Sequence, residues 1–506
     1  MTTLAPMDAY NQQLIDAVHP PDWLNPAPAD LYDLVVIGAG TAGLVVAAGA
    51  AGLGLGLKVA LIERHLMGGD CLNFGCVPSK TMIRSSRIVG EIWRGQGLGI
   101  RADRVEIDFG AVMARLRRIR AEISDHDSVA RFTDLGVDVF LGDGQFSSRE
   151  TISVGEQVLR FKKAVIATGT SAAVPAVPGL AVAGYLTNET VFNLVERPQR
   201  LAIIGGGPIG CELAQTYQRL GCEVILLHRG GQILAKEDSE AATIVQQILI
   251  EEGVNLILDC QLQQVTVTPQ GKAITYTTLD RTETIVVDEI LVGTGRTPNI
   301  VSLNLVQAGV TFDDRGVEVN DYLQTTNPHI YAAGDVCMEW KFTHAADAAA
   351  RIVIKNTLFS PFGVGRSKLS SLVMPWVTYT DPEIAHVGLS VAAAQQQGLQ
   401  FGTIKIEMSS VDRAITDGET TGFLKIIHRH GSDEILGATI VASHAGEMIS
   451  EITTAMVNQI GLSKLSSVIH PYPTQADCIK KAADAYRRTL LTPRTKQILG
   501  LLTRFS

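Results

Sequence analysis

Asp33-Leu-Val-Val-Ile-Gly38-Ala-Gly40-Thr-Ala-Gly43 is a short apolar strand that runs directly into Gly-x-Gly-x-x-Gly. The residues after it, Leu44 to Ala51, suit a helix. A second apolar strand, Lys58-Val-Ala-Leu-Ile, then ends at Glu63, twenty residues beyond Gly43. Strand, glycine turn, helix and spaced acid together make a dinucleotide-binding unit. Gly38 allows the tight turn and Gly40 lets a pyrophosphate approach the backbone. Gly43 lets helix and strand pack closely, and Glu63 can accept hydrogen bonds from a ribose. The helix start offers N–H groups and a positive dipole end to the phosphates.

The pattern recurs. Arg200-Leu-Ala-Ile-Ile-Gly205-Gly-Gly207-Pro-Ile-Gly210 is again strand then fingerprint, followed by a helix to Leu220. The next strand, Glu223-Val-Ile-Leu-Leu, ends in His228-Arg229 with no carboxylate. An acid there favours the free 2′-hydroxyl of NAD, whereas a cation accommodates the 2′-phosphate of NADP. Arg229 therefore points to NADPH. The alternative is a solvated Arg229 and an enzyme that takes NADH as well. Each unit closes on an apolar strand ending in Thr-Gly, at Thr168-Gly169 and at Thr294-Gly295, after alternating β segments. The fold class expected is α/β, with two related nucleotide domains.

The extra length of the first unit follows Glu63, where Gly68-Gly-Asp-Cys71-Leu-Asn-Phe-Gly-Cys76-Val-Pro-Ser-Lys80 stands. In an ideal helix, Cα atoms five residues apart lie ~8.6 Å from each other, beyond the roughly 4.4–6.8 Å of a disulfide. Joining these cysteines needs a distorted turn, which Gly75 permits. Pro78 suits the first turn of a following helix, whose positive end stabilises a thiolate. A small constrained ring of this kind has the profile of a cycling disulfide rather than a staple.

Composition narrows the classes further. The chain has 506 residues, 46% hydrophobic and 19% charged, which excludes a disordered or disulfide-stapled protein. Its formal charge of −9 gives no basic field for nucleic acid. Residues 34–57 carry no charge and are long enough to cross a bilayer, yet their glycines fit a buried strand, turn and helix better. Residues 1–30 lack the basic and apolar regions of a signal peptide. Pro6, Pro20, Pro21, Pro26 and Pro28 around Trp23 suggest an extended arm, and without a signal peptide the expected address is the cytoplasm. Cys211, Cys222, Cys260 and Cys337 read as buried small apolar residues. No resident metal site is expected.

Taken in order, these motifs resemble the class I FAD-dependent pyridine nucleotide–disulfide oxidoreductases. The resemblance covers about residues 31–490 and includes Gly293-Thr-Gly-Arg-Thr-Pro298, Tyr331-Ala-Ala-Gly334-Asp335, Thr380-Asp-Pro-Glu383, Val411-Asp-Arg-Ala414 and His470-Pro-Tyr-Pro-Thr474. Gly-Gly-Asp-Cys and Tyr472 are most similar to the mercuric-reductase-like members. The resemblance implies an N-terminal extension at 1–30 and an FAD domain split between 31–185 and 290–365. It implies an NAD(P)H domain at 186–289 and a dimerisation domain at 366–506, so that a homodimer builds the substrate site from both subunits. Asp335, after Gly334, would bond the ribityl chain, and Lys80 would lie near the flavin N5 edge, paired with Glu212. NADPH would reduce FAD, and FAD the disulfide, with Cys76 as charge-transfer thiolate and Cys71 as interchange thiol.

Two departures bear on the substrate, a metal ion or a small disulfide. The disulfide-reducing members carry His before Pro-Thr, with an acid four residues beyond that Pro; here those places hold Tyr472 and Asp477. Tyr has an ordinary pKa near 10 against about 6.5 for His, which makes it a poor proton shuttle near neutrality. His470 is the substitute base, against the plainer reading of a packing histidine. Mercuric reductase also delivers its ion through adjacent cysteines near the C-terminus, and this chain has no adjacent cysteines. Residues 480–506 carry seven Lys and Arg against Asp484 alone, with Ile498, Leu499, Leu501, Leu502 and Phe505 near the end. Such a tail suits weak contact with an anionic membrane surface, against packing on the dimer. The other readings are a dihydrolipoamide-dehydrogenase-like component using NAD, and a flavin redox sensor or electron-transfer partner.

Overall fold

The computed structural model describes residues 4–102, 104–279 and 281–504. Strand Tyr32–Ile37 is buried at every residue but Asp33, as an apolar run flanked by parallel neighbours requires. It lies between Val59–Glu63 and Gln157–Ile166, with Val137–Leu141 beyond the former and Ile330–Ala332 beyond the latter, all parallel. Residues from both sides of the second fingerprint thus share one sheet. The start of Gln157–Ile166 also pairs antiparallel with Thr151–Val154 and so joins a meander to the parallel core.

The second sheet runs Asn255–Ile257, Glu223–Leu227, Arg200–Ile204, Glu289–Val292, again parallel. Its last strand carries the second nucleotide unit past residue 289, so the expected boundary at 290 falls inside a strand. Three antiparallel strands, Cys260–Thr268, Gly271–Thr278 and Arg281–Val287, precede that strand. The C-terminal part is a five-stranded antiparallel sheet, with Glu383–Gly388, Ile435–Ala442 and Phe423–Arg429 in its middle. Helices Ala445–Val457 and Asp477–Thr489 bury Ile452, Ile479 and Ala482 against it. The α/β architecture with two nucleotide units and an α+β third part is as expected.

The three parts are pinned together at Asp381. Its carboxylate takes Arg94 Nη1 at 2.9 Å and Arg219 Nη1 at 2.8 Å. Arg94 belongs to helix Cys76–Gly95 and Arg219 to helix Pro208–Arg219. Gln215 adds two hydrogen bonds to the Asp381 backbone, and Arg219, 1% exposed, also pairs with Glu252.

Two expectations change at the ends. The N-terminal arm is not simply extended: Ala9–Val18 is a helix capped by Asp8, with Leu14 and Val18 fully buried. The prolines that suggested an arm flank this helix without interrupting it. Four of the tail's seven basic residues belong to Asp477–Thr489, a packed helix of the third part. Only Pro493–Leu502 forms a separate exposed helix, and Phe505 lies outside the described residues. The uncharged run 34–57 resolves into strand, turn and helix Thr41–Ala51. Among the described residues, no helix is long and apolar enough to cross a membrane.

Candidate active site

The first fingerprint opens onto a cavity of about 1440 Å³, larger than the few hundred Å³ typical of small-ligand pockets. Gly38 has φ +102, and a Cβ there would sit 2.4 Å from the Ala167 oxygen. Gly43 is packed so closely that a Cβ would lie 1.8 Å from the Gly38 oxygen. At Gly40 the nearest atom to such a Cβ is 3.8 Å away, so this backbone is free to face a ligand. Glu63 closes the turn by accepting Ala39 N–H at 2.7 Å and His65 N–H at 2.8 Å, and burial raises its carboxyl above the usual range. On the opposite wall, Asp335 follows Gly334 and accepts Thr170 Oγ1 at 2.9 Å. Thr168, Gly169 and Asp335 all line the same cavity. A glycine cradle at a helix start, an acid at the strand end and a cavity of this volume fit FAD.

Cys71 lies in the short helix Gly69–Asn73, and Cys76 is the first residue of helix Cys76–Gly95. The break between them falls at Gly75 (φ −128, ψ −111), the distorted turn that the spacing demanded. Both cysteines are free thiols within hydrogen-bonding reach of each other, and both line the cavity. The Cys71 thiol bonds Cys76 and lowers it to about 6; Thr343 Oγ1, 3.4 Å from Cys76 Sγ, and the Lys80 charge help against burial. Cys71 moves up for the complementary reason: it keeps the shared proton, and burial disfavours its thiolate. Both shifts favour the negative charge of the reduced pair on Cys76.

Lys80 Nζ donates to Glu212 Oε2 at 2.8 Å and lies 4.5 Å from the centre of the Tyr379 ring. Tyr379 N–H donates to the other oxygen of Glu212 at 2.9 Å. Burial opposes the ammonium, but the carboxylate outweighs it and holds Lys80 above the ordinary lysine value. The expected Lys80–Glu212 pair is thus present, between the redox helix and the second fingerprint helix.

The second fingerprint repeats the first. Gly205 has φ +116, and a Cβ on Gly210 would sit 1.9 Å from the Gly205 oxygen. Gly207 caps the following helix. Gly206 N–H donates to His228 Nδ1 at 3.1 Å, as Ala39 N–H donates to Glu63 in the first unit. His228 therefore occupies the acid's position. Burial, then the Arg229 charge, lowers its pKa, which matches an unprotonated Nδ1. Arg229 is exposed at the strand end.

Several residues shaping the cavity carried no individual signal in the sequence. Arg296 bonds Thr170 Oγ1 at 2.6 Å and reaches Asp70 at 3.1 Å. Asn188 holds the other Asp70 oxygen at 2.7 Å, and Asn299 clasps Thr168. Arg296 follows Gly295, at φ +145, inside the quoted Gly-Thr-Gly-Arg-Thr-Pro run, so its motif was visible although its role was not. Thr343 and Tyr379 had no such marker.

Tyr472, His470 and Asp477 do not line this cavity. Tyr472 is 75% exposed and donates to Asp412 Oδ2 at 3.0 Å. The His470 side chain is 5% exposed and pairs with Glu451 at 3.0 Å. Asp477 faces Lys481 at 3.6 Å. Cys211, Cys222 and Cys260 are buried as expected, whereas Cys337 is only half-buried beside the Gly334 oxygen.

Two nucleotide units, a cysteine pair on their shared cavity and a separate antiparallel part define a flavin-dependent disulfide oxidoreductase. Residues 32–350 match the pyridine nucleotide-disulphide oxidoreductase family and residues 374–483 its dimerisation domain, and the chain belongs to this family. The family uses FAD and NAD(P)H. The chain is 35% identical over 453 residues to a mercuric reductase of Staphylococcus aureus, covering 89% of this chain and 82% of that protein. It is equally 35% identical over 461 residues to a dihydrolipoyl dehydrogenase of Chlamydia muridarum, covering 90% and 96%. Among solved structures it is similar to LpdA from Mycobacterium tuberculosis, with TM-score 0.80, 27% identity and coverage of 91% and 100%. It is also similar to the Cu(II) complex of the HOCl-induced flavoprotein disulfide reductase RclA from Escherichia coli, with TM-score 0.79, 26% identity and coverage of 90% and 100%. The expected membrane contact of the tail finds no support in these relationships.

Proposed function

We propose that the protein takes two electrons from NADPH and passes them through FAD and the Cys71/Cys76 pair to a soft metal ion held by those sulfurs. For a mercuric ion the balance is NADPH and Hg²⁺ giving NADP⁺, H⁺ and elemental mercury. FAD, when bound, supplies the conversion of hydride transfer into sulfur redox chemistry. Gly38, Gly40, Gly43, Glu63, Thr168, Gly169, Gly334 and Asp335 would hold it; Gly205, Gly207, Gly210, Gly295 and Arg229 would serve the nicotinamide nucleotide. Cys76 carries the thiolate, Lys80 holds positive charge beside it, and Glu212 fixes Lys80. Cys71 meets the substrate and releases its proton as the ion binds.

The observation that carries the metal reading is the exposed phenol of Tyr472, with the nearby imidazole of His470 turned inward onto Glu451. Thiol–disulfide exchange needs a proton shuttle at the attacking thiol. A soft cation needs thiolates and an oxygen or sulfur donor. We place the substrate site between the subunits of a homodimer, where the exposed Tyr472 would meet the other subunit's thiols. A cycling rather than a structural disulfide suits a cytoplasmic setting.

An anaerobic NADPH assay against Hg²⁺, glutathione disulfide, lipoamide and quinones tests this reading. Turnover is expected with Hg²⁺ and only background with lipoamide. Faster NADH-linked lipoamide turnover overturns it in favour of the dihydrolipoamide-dehydrogenase-like reading. Slow turnover with every small substrate, together with tight protein binding, supports an electron-transfer partner or sensor. Tyr472→Phe is expected to lower Hg²⁺ turnover about tenfold, or about 1.4 kcal/mol; unchanged turnover removes the phenol from the site. Arg229→Glu is expected to reduce the NADPH-to-NADH ratio of kcat/KM at least about tenfold. An unaltered ratio would show that Arg229 is simply solvated.

A further inference from the structure

The segment preceding the family region, which begins at residue 32, reaches the redox turn. Helix Ala9–Val18 packs on helix Phe109–Ser124. At its start Asp8 Oδ2 pairs with Arg117 Nε at 2.5 Å. The buried Asn11 Oδ1 accepts Arg120 Nη2 at 2.6 Å, and the same guanidinium gives Nη1 to the Asn73 main-chain oxygen at 2.8 Å. Asn73 ends the short helix that carries Cys71, just before the Gly75 break and Cys76. Its amide ties that helix inward, donating to Met67 O at 3.0 Å and Gly69 O at 2.9 Å. At the far end of the N-terminal helix, Val18 O accepts Met67 N–H at 3.2 Å, and His19 Nδ1 bonds the His65 oxygen.

This arrangement is a poor way to gain stability alone. Arg120 is fully buried, and among the described residues it has hydrogen bonds to Asn11 and Asn73 but no ion pair. Arg120 Nε, Arg117 Nη1 and Asn73 Oδ1 are buried without a hydrogen-bond partner. A guanidinium buried without a paired charge costs more than an apolar side chain filling the same space. An apolar side chain could not grip two polar groups from two segments in one fixed plane, as the guanidinium fork does.

We propose that Asn11 and Arg120 are positioning residues for the cysteine pair: through them the N-terminal helix fixes the turn that carries the two sulfurs. The inference rests on Cys71 and Cys76 being a redox pair. Sulfurs held in register have a high effective concentration, which favours the closed disulfide over the dithiol. A relaxed turn makes the bond easier to reduce.

The test equilibrates the full-length holoprotein with mixtures of reduced and oxidised dithiothreitol. As the Cys71–Cys76 bond breaks, both electrons come from dithiothreitol, whose thiols close to the cyclic disulfide and release the protons taken up by the protein thiols. Mass-tagging of free thiols reads the midpoint. Asn11→Ala and Arg120→Lys are each expected to shift the equilibrium about tenfold toward the dithiol, about 30 mV for a two-electron couple. Asn11→Gln, which retains an acceptor, is expected to recover part of the shift. A lowered Tm with the wild-type midpoint overturns the proposal, because a merely structural contact would do only that.

The wild-type protein supplies a second measurement that needs no variant. Coupling is reciprocal, so reducing the pair is expected to alter amide hydrogen exchange in residues 9–18. Identical exchange in the two redox forms overturns the proposal. A wild-type protein showing no two-thiol transition at all would sink the redox reading itself.

Discussion

Cys76→Ser is expected to abolish turnover, by at least about a thousandfold, and to remove the long-wavelength absorbance that a thiolate beside a flavin gives on two-electron reduction. Cys71→Ser is expected to lose turnover as completely but to keep that absorbance. The asymmetry follows from the proton the pair shares: the Cys71 thiol donates, and Cys76, lowered to about 6, bears the charge. Thiolate is therefore the main form at pH 7, and it is lost as pH falls through about 6. Lys80→Met removes a stabilising charge and is expected to move that midpoint upward. A Cys76→Ser protein that retained the band would transfer the thiolate to Cys71 and reverse the assignment of the two sulfurs.

Gly43→Ala is expected to yield a colourless protein. The added Cβ would stand 1.8 Å from the Gly38 oxygen and 2.9 Å from its carbon, both main-chain atoms that no rotamer change can move aside. Helix Thr41–Ala51 would have to lift from strand Tyr32–Ile37, opening the cradle that faces the cavity. Overpacking of this kind usually costs about 1–3 kcal/mol and more where backbone is struck. Flavin content per chain, measured by absorbance after purification, checks this result; stoichiometric yellow protein would mean that the first fingerprint does not hold the cofactor. Gly40→Ala, whose Cβ has 3.8 Å of clearance, is the milder companion.

Both nucleotide units could be read from the sequence because their chemistry is local. Glycine spacing, apolar strands and a strand-end residue lie within thirty or so residues of one another, and the Lys80–Glu212 pair followed from the family resemblance. What the sequence concealed depends on segments distant along the chain. Thr343 touches Cys76 across 267 positions, and no motif in either stretch announces the contact. The strand that closes the second unit was legible as an apolar run ending in Thr294-Gly295, but its pairing with Arg200–Ile204, ninety residues earlier, shows only in the folded chain. The N-terminal prolines concealed a helix whose capping aspartate and buried Leu14 matter more than its flanks. His470 and Tyr472 show the same limit, since two residues of separation place one inside the fold and the other on its surface.

Asp381 has a dynamic consequence. A hinge among the three parts would have to pull one carboxylate away from two guanidiniums, one of them sealed from water. Such charge-assisted contacts resist separation. Large-scale closure would have to break these contacts, so ligand traffic is expected to rely on side-chain rearrangements at the cavity mouth.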